Sequence, residues 1–106
     1  MDKDTEAKIQ QLQAIEQNMQ SYNIQKQTIQ SQILESESAL RELENTTTAY
    51  KIIGNIMVAS NKDELIKEIT NKLSLLKTRF EKIEKQESRL QKEAEELQKE
   101  VMTKVR

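Results

Sequence analysis

Apolar residues recur along this chain at alternating steps of three and four, in two long runs separated by a short interruption. In the first run the a positions are Thr5, Leu12, Met19, Lys26, Ile33 and Leu40, and the d positions are Lys8, Ile15, Tyr22, Ile29, Ser36 and Leu43. In the second, the a positions are Ile66, Leu73, Phe80, Glu87, Ala94 and Val101, and the d positions are Ile69, Leu76, Ile83, Leu90, Leu97 and Lys104. Gln, Glu, Lys and Ser fill most of the remaining positions. A stripe of this kind predicts two amphipathic helices joined along a coiled-coil seam. It does not predict a cofactor box.

The interruption has its own pattern. Asn45-Thr46-Thr47-Thr48 stops the first helix, because Asn tolerates a left-handed cap and consecutive Thr residues suit extended backbone. Tyr50-Lys51-Ile52-Ile53 and Ile56-Met57-Val58-Ala59 then flank Gly54-Asn55, the only glycine in a chain without proline. Such a flanked pair predicts a two-residue hairpin with Gly54 supplying the positive φ of a type II′ turn. Ile53 would face Ile56, Ile52 would face Met57, and Tyr50 would face Ala59. Lys51, Ile53, Ile56 and Val58 would share one face of the ribbon, and Tyr50, Ile52, Met57 and Ala59 the other. Neither face is polar. A lone two-stranded ribbon is marginal in water and its edges invite pairing, so further strands must come from other subunits. Asn61-Lys62-Asp63-Glu64 restarts a helix, with Asn61 or Ser60 as N-cap and Glu64 placed for a capping box. The expected organisation is one domain over 1–106, with a helix over 5–45, hairpin and linker over 46–60, and a helix over 61–106.

A hairpin between two helical runs makes the helices antiparallel. Leu43 then lies beside Ile66, Ile33 beside Leu76, Ile29 beside Phe80, Met19 beside Leu90 and Leu12 beside Leu97. Each a meets a d throughout. The same register sets Tyr22 level with Glu87 and Lys26 one turn away, so two breaks in the stripes can satisfy one another.

Composition narrows the chemistry. About a third of the 106 residues are charged, the net charge is −1, and only Tyr22, Tyr50 and Phe80 are aromatic. That is too little bulk for a conventional globular core, and too balanced a field to attract nucleic acid or an anionic membrane. Histidine and cysteine are absent, which removes the commonest base, thiol nucleophiles and thiolate metal sites. One glycine cannot build a phosphate-cradling loop. The carboxylates sit on solvated helix faces, and a helical hairpin offers no concave pocket to perturb them. No enzyme, cofactor or metal site is expected. No apolar run approaches a membrane span and no apolar segment follows the N-terminus, so neither a membrane anchor nor a signal peptide is expected. The lack of cysteine fits a reducing cytosol.

Near the two termini apolar residues exceed what the seam uses. Ile9 and Ala14 lie off the first stripe, Met102 and Val105 off the second. They are either the scattered apolar side chains of any surface or the beginnings of a binding patch.

A helix, then Tyr50-Lys51-Ile52-Ile53-Gly54-Asn55-Ile56-Met57-Val58, then Asn61-Lys62-Asp63-Glu64-Leu65 opening a second helix, closely resembles the β class of prefoldin subunits, most of all the compact archaeal type. The resemblance covers essentially the whole chain. The sequence departs from many relatives in its Thr46-Thr47-Thr48 linker and in ending on Lys104-Val105-Arg106, without an apolar or proline-rich tail. What the resemblance implies is a mainly α fold, an antiparallel two-helix coiled coil whose β-hairpin assembles with others into an oligomeric β-barrel. It implies a hetero-hexamer of two α-type and four β-type subunits in the cytoplasm, acting without ATP or cofactor. Coiled-coil tips would capture unfolded proteins and pass them to a group II chaperonin. The client-binding candidates are then Ile9, Leu12, Ile15, Leu97, Val101, Met102 and Val105. Oligomerisation falls to Tyr50, Ile52, Ile53, Gly54, Ile56, Met57 and Val58. The alternative is a structural coiled-coil adaptor that binds no unfolded protein.

Overall fold

A computed structural model describes residues 2–105, except the side chain of Val105. The order of elements is α1 (Lys3–Glu44), β1 (Ala49–Ile53), β2 (Ile56–Ser60) and α2 (Lys62–Val105). Two long helices with a β-hairpin between them make the chain mainly helical, as its patterning predicts. The residues group into two compact units, 1–27 with 81–106, and 28–80.

Each helix begins on a side-chain cap. Asp2 Oδ1 accepts from the Thr5 backbone N–H at 2.7 Å, and the Asp2 carbonyl accepts from Glu6 N–H at 3.1 Å. This satisfies amides that an uncapped first turn would leave open. The helix therefore starts at Lys3, two residues before the expected position. At α2, Asn61 Oδ1 accepts from both Asp63 N–H, at 2.9 Å, and Glu64 N–H, at 3.1 Å. That decides between the two cap candidates, because Ser60 is the last residue of β2.

Within the 28–80 unit, β1 and β2 pair antiparallel in the predicted register, Ala49↔Ser60, Tyr50↔Ala59, Lys51↔Val58, Ile52↔Met57 and Ile53↔Ile56. Gly54 has φ of 60°, and no other described residue has a positive φ, as a type II′ turn requires. Ile29, Leu43, Ala49 and Leu76 are buried in this unit. Ser36 is buried with them, the polar break in the first stripe.

Within the unit of 1–27 and 81–106 the helices run antiparallel. Lys8 pairs with Glu100 and Lys26 with Glu87, so the partner number falls as the first rises. Ile15 and Ile83 are buried along the seam. In α1 every a and d residue from Thr5 to Leu43 is buried or half-buried, as is every one in α2 from Ile66 to Val101. The stripe read from the sequence is the seam. A buried aliphatic side chain contributes about 1.5–3 kcal/mol relative to exposure, which makes this stripe the main source of helix stability in both units.

Candidate functional site: the hairpin faces and the helix ends

Two regions hold the residues singled out from sequence. In the hairpin, alternation places Ile53, Ile56 and Val58 on one face and Tyr50, Ile52 and Met57 on the other. All six are exposed, Ile52 to 69%. One charged contact ties the ribbon to its neighbour: Lys51 Nζ lies 2.9 Å from Glu68 Oε2 on α2. Beside it an open groove of about 780 Å³ is lined by Ser36, Leu43, Tyr50, Ile52, Leu65 and Ile69. Exposed apolar area of this size on both faces of a ribbon is uncommon on a surface that faces only water.

The second region is the start of α1 and the end of α2. Leu12, Leu97 and Val101 are half-buried in the seam, and Ile15 is buried. Of the residues off the stripe, Ile9 is half-buried, Ala14 is exposed and Met102 is 64% exposed. The side chain of Val105 lies outside the described residues. Met102 is therefore the most open large apolar side chain described in this region, and its flexible thioether chain adapts to varied surfaces.

Sequence reasoning did not anticipate how charge surrounds these apolar residues. Lys8 Nζ lies 3.3 Å from Asp4 Oδ2 and 3.1 Å from Glu100 Oε2. Lys104 Nζ lies 3.1 Å from Asp4 Oδ2 and 3.8 Å from Asp2 Oδ2. Thr5, at the a position under this network, is only 2% exposed. The hydrogen bond from Thr5 holds the Asp2 carboxyl below the ordinary aspartate range, with Lys104 adding to the effect. Lys104 and then Lys8 do the same for Asp4, while Glu100 and Asp4 raise Lys8. All the partners but the half-buried Lys8 are solvent-exposed, so each pair contributes little singly, and together they link the start of α1 to the end of α2. Deeper in the seam, Lys26 Nζ sits 2.8 Å from Glu87 Oε1, with both side chains mostly covered.

The sequence reading also passed over Ile24, Leu34 and Leu75, which are exposed away from the seam. They sit at f, b and c positions, where a search confined to a and d does not look. Among the described residues no group of three or more acidic side chains is arranged to hold a metal ion, and no helix is long and apolar enough to cross a membrane.

A coiled-coil hairpin closed by a two-stranded ribbon is thus the class that fold and surface define. Residues 6–106 match the family model described as prefoldin subunit. The chain is 34% identical over 91 residues to the prefoldin subunit beta of Methanococcoides burtonii, covering 83% of this chain and 78% of that protein. It is 31% identical over 104 residues to that of Thermococcus onnurineus, covering 95% and 90%. The crystal structure of the prefoldin beta subunit from Thermococcus strain KS-1 superposes with a TM-score of 0.89 at 29% identity, covering 99% of this chain and 95% of that one. The chain belongs to the prefoldin subunit family, a family of chaperone components whose members form complexes with other prefoldin subunits.

Proposed function

We propose that this chain is a β-type subunit of an ATP-independent holdase. It joins an α-type partner through the hairpin, two α with four β, to form a barrel in the cytoplasm. It captures unfolded proteins at the ends of the paired helices and delivers them to a group II chaperonin. The observation that carries this reading is a hairpin with six exposed apolar residues and two open edges, on a chain of this family. Ribbons of that composition gain most of their stability from strands supplied by other subunits. At the helix ends Met102, Ile9 and the half-buried seam residues offer apolar area of low specificity. Weak contacts of that kind become useful when several subunits engage one client at high effective concentration.

The test is aggregation of a denatured client, without ATP, in the presence of the chain co-assembled with an α-type subunit. Protection by the full complex is expected. A second complex, trimmed of residues 1–12 and 98–106, should retain its mass in native mass spectrometry and lose the protection. If the full complex fails to delay aggregation, the chain is a structural adaptor. If the trimmed complex protects as well as the full one, capture occurs elsewhere on the subunit.

A further inference from the structure

The outward faces of the two helices in the 1–27 and 81–106 unit are built by different rules. On α1 the b, c and f positions from Gln10 to Gln27 are Gln10, Gln13, Ala14, Gln17, Gln20, Ser21, Ile24 and Gln27, all exposed and none charged. Ile24 is 63% exposed. On α2 the corresponding positions from Glu81 to Lys99 are charged at every place but Ser88. Glu81 with Lys85, Lys92 with Glu96 and Glu95 with Lys99 are spaced i,i+4, the arrangement that steadies an exposed helix. Along those five turns α1 forgoes such pairs, although the same solvent bathes it. Helix stability alone does not explain that choice.

We propose that this uncharged face of α1 is a contact surface for unfolded polypeptide, extending capture beyond the helix ends. The inference rests on the holdase reading above. Covering an unpaired charge is far more costly than covering an amide, so a face without charges can be occupied by whatever segment arrives. Each glutamine offers both a donor and an acceptor, which matches the exposed N–H and C=O groups of an unfolded backbone whatever its sequence. Ile24 and Ala14 add apolar points between the amides. The flexible side chains keep every contact weak and reversible, as release to a downstream folding machine demands. An unfolded chain is the partner that combines backbone polarity with unselected apolar side chains and no fixed charge pattern.

The test uses the complete complex with its α-type partner. The variant Gln13→Lys/Gln17→Glu/Gln20→Lys/Ile24→Glu adds two acids and two bases, leaving net charge unchanged and creating three opposite-charge i,i+4 pairs that favour the helix (13 with 17, the native Glu16 with 20, and 20 with 24). Its melting temperature and assembled mass should equal or exceed those of the native complex. The amount needed for half-maximal protection of a denatured client should rise about threefold or more, since a weak contact is lost on several subunits at once. The control Lys85→Gln/Glu96→Gln on α2 should leave protection unchanged. A photo-crosslinker at Gln20 should capture client, and one at Lys92 should not. Native-like protection by the charged α1 variant, in a complex that does protect, overturns the inference and leaves the holdase reading intact. Absence of protection by the native complex overturns both.

Discussion

The hairpin and the helix ends handle apolar surface in contrary ways. In the hairpin six large apolar side chains stand open on both faces, with the Lys51–Glu68 ion pair beside them. At the helix ends the seam is closed as far as Thr5, and five charged residues (Asp2, Asp4, Lys8, Glu100 and Lys104) stand around it. Exposure alone therefore does not mark a sticky surface in this chain. The open apolar faces of the hairpin suit its proposed pairing with other subunits, and the covered seam with Met102 beside it suits the proposed capture of varied clients.

The strongest way to break this contrast is Ile53→Asp. Within a strand interface an unpaired carboxylate costs several kcal/mol, whereas on an exposed surface the same change stays within about 0.5 kcal/mol. The variant should therefore stay helical by circular dichroism with an almost unchanged melting temperature, yet fail to assemble in native mass spectrometry. Retained assembly would show that the hairpin faces are not covered by other subunits.

A smaller effect is expected from Gly54→Ala. Nothing lies within 4 Å of the added Cβ, so the penalty comes only from holding φ at 60°. That strain is about 1–2 kcal/mol, and assembly should weaken without being abolished. An unchanged complex would mean that the turn relaxes to another type.

The polar layer sharpens the comparison from the seam side. Replacing Lys26 and Glu87 together by Leu should raise the melting temperature, because an apolar pair of similar size packs at least as well as a mostly covered ion pair. Lys26→Leu alone should lower the melting temperature instead, because it removes the cation 2.8 Å from a mostly covered Glu87 carboxylate. A large fall for the double variant would show that the layer fixes the register of the two helices.

The smallest effect is pH dependence at the helix ends. Asp2 and Asp4 have folded pKa values below those of the unfolded chain. Their contribution is present above the unfolded value, about 3.9, and is lost as the pH falls through the folded values. Lys8, raised by Glu100, contributes below its unfolded value and loses that contribution as the pH climbs through the folded one. Amide exchange of residues 3–12 should accelerate in acid and in strong base, ahead of the buried seam around Ile29. Uniform acceleration along the chain would remove any local role for these charges.

Much of the architecture is legible because this sequence says each thing once. A single glycine, followed by Asn and flanked by β-branched residues, admits one hairpin, and its five strand pairs follow by counting. The stripes are equally plain, and Lys26 and Glu87 could be matched because both are charged breaks in the middle of their stripes and the register sets them one turn apart. The ion pairs at the helix ends were not matched, because a sequence one-third charged offers every lysine many partners. Register alone brings Lys8 near Val101, one residue from its true partner Glu100. The Asp2 cap was missed for a different reason: the heptad starts at Thr5, and nothing periodic marks the two residues before it. Ile24, Leu34 and Leu75 lie where periodicity makes no demand, so only a separate scan of the outward positions reveals them.

The hairpin also orders the events of folding. Ile53 and Ile56 meet across a two-residue turn, Lys51 and Glu68 are 17 residues apart, and Asp4 and Lys104 are 100 apart. Closing the last of these contacts from an open chain costs about 1.5 kcal/mol more than closing the second. Pairing should therefore start at the turn and spread outward, with no proline to add a slow isomerisation step. On the ribosome the order has a sharper consequence. All of α1 emerges before any of α2, whose 44 residues take roughly 2–9 s to synthesise. For that interval the stripe from Leu12 to Leu43 has no partner helix, and the nascent chain is itself in the unfolded condition that its finished form is proposed to recognise.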